Sequence, residues 1–102
     1  MTSLVPHLLL RTDQETPSEI AIALREANYL VSRVHDDATA YSLTGCEHVD
    51  GIVVDLPPLA AASFTRRLAS AARRVPTIVV SGAHADRGEV VTYVDLMLAR
   101  FN

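Results

Sequence analysis

The side chains best placed to do chemistry in this 102-residue sequence stand where apolar runs end. Gly51-Ile52-Val53-Val54 closes on Asp55, Thr77-Ile78-Val79-Val80 closes on Ser81-Gly82, and the run through Leu10 is followed by Arg11-Thr12-Asp13. Taken alone, Asp55 fits two structural roles, capping the helix that follows or pairing with an arginine. Asp55, Ser81 and His84 also have the residue types of a hydrolytic triad. Ser81-Gly82-Ala83-His84 lacks the Gly-x-Ser-x-Gly elbow that exposes such a serine, so a hydrolase is disfavoured. Cys46, His48 and His35 have metal-binding side chains, yet Cys-x-His is not a usual ligand spacing and no second tight pair exists. A small buried Cys46 and a surface histidine are the simpler reading. The four glycines are scattered, so no phosphate-cradling loop is present.

These residues need elements to bring them together, and the pattern supplies them. Leu4 to Leu10 reads as a strand, Tyr29 to Val34 as a second, Gly51 to Asp55 as a third and Thr77 to Ser81 as a fourth. Between them lie helical stretches. Thr16-Pro17-Ser18-Glu19 forms a capping box, Ile20, Ala23, Leu24 and Ala27 recur at helical spacing, and Asn28 is a plausible stop. Asp36-Asp37 starts a short helix through Leu43, ended by Gly45. Pro57-Pro58 precedes an alanine-rich helix from Leu59 to Arg74, with Phe64, Leu68, Ala71 and Ala72 inward and Pro76 as its stop. The last segment reads two ways: a helix with Val90, Val94, Met97, Leu98 and Phe101 on one face, or a β-branched strand over Val90 to Val94. Spacing and the Asp86-Arg87-Gly88-Glu89 cap favour the helix.

Strands alternating with helices predict an α/β fold in one domain over 1–102, a three-layer sandwich around a parallel sheet of four or five strands. In such sheets ligands bind beyond the carboxyl ends of the strands. That rule gathers Arg11-Thr12-Asp13, Asp55 and Ser81 at one rim. Composition narrows the function. Apolar residues make up 49%, as expected for a folded domain, and the net charge is −3. The only basic pairs are Arg66-Arg67 and Arg73-Arg74, so direct nucleic-acid binding is disfavoured. One cysteine, no secretory leader pattern and no membrane-length apolar run predict a cytoplasmic protein.

From Leu8 to about His84 the order of elements resembles the receiver domain of two-component response regulators. The resemblance is carried by Leu24-Arg25-Glu26-Ala27-Asn28-Tyr29, by Val49-Asp50-Gly51-Ile52-Val53-Val54-Asp55-Leu56-Pro57-Pro58, and by Val75-Pro76-Thr77-Ile78-Val79-Val80-Ser81-Gly82-Ala83-His84-Ala85. It implies a flavodoxin-like fold, Asp55 as phosphoacceptor and Ser81 as a contact to the phosphoryl group. It also implies Mg²⁺ as cofactor and a histidine kinase or downstream regulator as partner.

The chain departs from the family at two places. The acidic pair that holds the metal at the end of the first strand is replaced by Arg11 and Thr12, leaving Asp13 and Asp55 as the candidate metal ligands. The chain contains no lysine, so the family's phosphate-pairing lysine is missing; Arg100 is a bulkier, planar substitute. The expectation is therefore a non-catalytic pseudo-receiver, with Arg11 paired to Asp55 in place of a cation. The alternatives are a working phosphoryl acceptor with an unusual metal site, or an oligomerisation or scaffold module. Without a fifth strand the fourth becomes an exposed edge, which predicts cover from the C-terminal segment or from a second subunit in a homodimer.

Overall fold

Four runs rich in leucine and β-branched side chains pair as strands: β1 (His7–Thr12), β2 (Leu30–Val34), β3 (Gly51–Asp55) and β4 (Thr77–Val80). They alternate with helices α1 (Glu19–Glu26), α2 (Asp37–Cys46), α3 (Pro58–Ala69) and α4 (Arg87–Phe101). The computed structural model describes residues 5–13, 19–46, 48–70, 75–80 and 87–101. The expected capping residues Thr16, Pro17 and Ser18 lie outside them, as do Ala71 and Ala72. All strand pairs are parallel, in the order β2-β1-β3-β4. Among the described residues the protein is thus α/β, a flavodoxin-like three-layer sandwich with four strands, and its C-terminal segment is helix.

Strand alternation divides the core into two layers. Leu8, Leu10, Val53 and Val80 meet Ile20, Ala21 and Leu24 of α1 and Val90, Val94 and Leu98 of α4. Leu9, Ile52 and Val54 face the other way, toward Ala40 of α2 and Ala61, Phe64 and Leu68 of α3. Covered on both faces, β1 and β3 are buried along most of their length, which explains their unbroken apolar runs. In α1 the buried stripe runs through Ala21, with Ala23 only half-buried. β1 runs two residues further than its leucines, through Arg11 and Thr12.

The ends of elements follow local chemistry. Asn28 has φ 72° and closes α1 in the left-handed conformation. Tyr29 N–H reaches Leu24 C=O at 3.1 Å and Asn28 N–H reaches Arg25 C=O at 3.0 Å, the two bonds of a Schellman cap. Asp36 caps α2, accepting from Thr39 N–H at 2.7 Å and from the Thr39 hydroxyl at 2.8 Å. Those two bonds hold its carboxyl below the usual range. Pro58 opens α3 at a position where a missing N–H costs nothing. A Cβ on Gly51 would come within 3.0 Å of the Met97 methyl and 3.1 Å of a Leu8 methyl, so the bare glycine lets α4 settle on the sheet.

At the amino ends of the strands His7 fastens three strands together. Its N–H donates to Asp50 Oδ2 at 2.8 Å, and its ring contacts the His48 carbonyl at 3.0 Å and Ser32 Oγ at 2.7 Å. A carbonyl only accepts, so Nδ1 carries the proton. His48 Nε2 in turn meets Asp50 Oδ1 at 2.9 Å.

Tyr29 joins the end of α1 to α4 by donating its hydroxyl to Asp95. Burial, with the Asp95 carboxylate adding to it, pushes the Tyr29 phenol up to about 12. Because the folded value lies above the ordinary 10.0, the protonated phenol contributes stability that is complete below pH 10 and is lost as pH rises through about 12. A tyrosinate absorbance step near pH 12, absent from Y29F, is the expected result of a spectrophotometric titration.

Candidate functional site

The strand order reverses direction between β1 and β3, and the crevice at that switch point is where open α/β sheets bind ligands. Thr12 and Asp55 are register partners there, the last residues of their strands. Alternation puts both on the face that carries Leu10, Val53 and Val80. Thr12 is fully buried and Asp55 is 8% exposed. Burial pushes the Asp55 carboxyl above the usual range. A hydrogen bond with the Thr12 side chain pulls it partly back, and the charge of Asp13 raises it further.

Arg11 belongs to the opposite face. Its buried guanidinium donates from Nε to Asp37 Oδ1 at 2.8 Å and from Nη1 to Asp13 Oδ1 at 3.1 Å. Nη1 also reaches the Thr12 carbonyl at 3.2 Å, and His35 Nδ1 reaches the same carbonyl at 3.1 Å. Burial opposes the charge on Arg11, but the bonds to Asp37 and Asp13 outweigh it and hold the guanidinium above its ordinary value. The expected Arg11–Asp55 pair therefore does not form. Neighbouring positions on a strand point to opposite faces, and Arg11 follows Leu9 toward α2 while Asp55 follows Val53 toward α4. Arg11 and Thr12 are also part of β1 itself, not of a turn after Leu10.

Of the residues singled out from the sequence, Arg11, Thr12, Asp13 and Asp55 do meet at one rim. Ser81 and His84 lie outside the described residues. Asp37 is an addition, and His35, weighed above as a metal-binding side chain, meets the Thr12 carbonyl instead. Asp37 reads from sequence only as a helix start, and its contact with Arg11 depends on the parallel pairing of β1 with β2. That register sets Arg11 opposite Val34, so the residues directly after β2 arrive beside it.

The rim fits Mg²⁺ poorly. The ion takes near-octahedral oxygen ligands, usually through carboxylates. Asp13 is bonded to a guanidinium, and among the described residues no cluster of three or more His, Cys, Asp or Glu is arranged to hold a metal. Asp55 is held in a desolvated position beside a hydroxyl and one like charge, a setting that favours its neutral form. Among the described residues no helix is long and apolar enough to cross a membrane. No family model matches the chain, and no curated protein matches it.

Proposed function

We propose that the chain is a pseudo-receiver, a signalling module that works through protein–protein contact and performs no catalysis. One observation carries this reading: Arg11 binds Asp13 and Asp37 on the opposite face of β1, so the rim's own cation is committed to two carboxylates and does not face Asp55. Phosphoryl transfer to an aspartate needs the oxygens of the moving group neutralised where charge develops. Arg11 is turned away toward α2, and the absence of lysine removes the family's second source of positive charge.

The partners of this reading are a signalling protein, either a histidine kinase or a downstream regulator, and a second copy of the chain. The setting is cytoplasmic. No cofactor takes part.

The test is incubation with a small phosphodonor and Mg²⁺, followed by intact mass. An unchanged mass is expected. A gain of one phosphate that D55N abolishes overturns the proposal in favour of a working acceptor.

A further inference from the structure

Among the described residues β4 is one of the two edge strands of the sheet, the other being β2. The Pro76 carbonyl accepts Ile52 N–H at 2.9 Å, so the backbone of alternate residues Ile78 and Val80 also turns to β3. The N–H and C=O groups of Thr77 and Val79 then point outward, and among the described residues no strand takes them up. Val79 is 53% exposed. A groove of about 550 Å³ runs beside this edge, lined by Ile78, Val79, Tyr93, Leu96, Met97 and Arg100.

Helix α4 is amphipathic twice over. One stripe, Val90, Val94 and Leu98, is buried against the sheet. A second stripe follows Glu89, Tyr93, Leu96 and Arg100, with steps of four, three and four residues. That is the spacing of a two-helix seam. Tyr93 and Leu96 are 52% and 59% exposed, so the apolar centre of this seam has no cover among the described residues.

The stripe is also complementary to itself. Run antiparallel to a copy of α4, with the two-fold axis between Val94 and Asp95, it places Tyr93 opposite the copy's Leu96. The same axis places Glu89 opposite the copy's Arg100, and Arg100 opposite the copy's Glu89. An isologous interface demands this reciprocity. Within one chain Glu89 and Arg100 are eleven residues apart, about 16 Å along the helix, so they do not satisfy each other.

We propose that a second copy of this chain docks here, through an antiparallel pair of α4 helices alongside an antiparallel β4–β4 pairing that continues the sheet across the two-fold axis. The helix seam buries Tyr93 and Leu96, the strand pairing takes up the outward groups of Thr77 and Val79, and two Glu89–Arg100 pairs close the ends. This deepens the homodimer part of the proposed function and is independent of the chemistry at Asp55.

The test uses sedimentation equilibrium on the full chain and two variants, E89R and R100E. Each variant sets like charges against each other twice in its own homodimer, and each is expected to weaken self-association at least about tenfold. Mixing the two restores association, because each chain then carries the charges its partner lacks. Circular dichroism confirms that both variants are folded. Parent-like dimers of either variant alone overturn this surface while leaving a homodimer in place. A parent chain that stays monomeric at several hundred micromolar overturns both this surface and the homodimer, leaving the edge to a partner of another kind.

Discussion

Replacing Arg11 by alanine is expected to lower the unfolding free energy by about 2–4 kcal/mol, read from the urea midpoint at constant slope. The change removes a buried side chain and two charge-assisted hydrogen bonds, each of a kind worth roughly 1.5–3 kcal/mol when its partner is left unpaired. Two features keep the loss below the upper end of the range for broken buried pairs. Asp13 is 60% exposed and takes up water once released. Asp37 sits in the first turn of α2, where the helix dipole favours a carboxylate. R11M, which keeps the packing and removes the charge, is expected to lose less than R11A. Equal losses would mean that the ionic contacts carry the effect alone. For a domain of this size such a change is a large part of the total stability. A loss below about 0.5 kcal/mol, the usual size for a surface substitution, would show that the rim does not depend on its internal cation.

The second large effect has the opposite sign. D55N is expected to raise the melting temperature at pH 7, by about 4–8 °C for each 1 kcal/mol gained. The carboxyl's value in the folded chain lies above its ordinary one, because burial outweighs the hydrogen bond with the Thr12 side chain. A raised value means that the protonated acid contributes stability, complete below the ordinary carboxylate range and lost as pH rises through the folded value. At neutral pH the ionised Asp55 therefore carries a penalty. Asparagine keeps an oxygen that can accept from Thr12 and removes the repulsion from Asp13. The advantage of D55N should shrink as the pH falls through the carboxylate range, since the parent then protonates Asp55 itself. Thermal melts at pH 7 and pH 3.5 make the comparison. A lower melting temperature for D55N at pH 7 would mean that the negative charge has a favourable partner at the rim.

Much of the fold was legible because period and punctuation agreed. The run from Gly51 to Asp55 is a strand with those bounds, Asn28 ends α1 with positive φ, and the C-terminal segment is the helix that its spacing favoured. The site was legible as a place but not as a set of contacts. The rule about strand ends brought Arg11, Thr12, Asp13 and Asp55 to one rim. The partner of Arg11 was missed because it depends on which face of β1 the side chain occupies. That in turn depends on β1 continuing through Thr12, two residues past its leucines. Neither Arg11 nor Thr12 is a strong strand signal, so the extension comes from tertiary pairing with Val34 and Asp55.

The knot of bonds around His7 and the bonds of Arg11 fasten the sheet at both ends of β1. Where β1, β2 and β3 begin, the side chains of His7, Ser32 and Asp50 and six backbone groups lock the strands to one another. Where they finish, the strands run into a row of charges. The bonds of Arg11 and the bond between Thr12 and Asp55 close that end, so opening there must break charge-assisted bonds as well as apolar contacts.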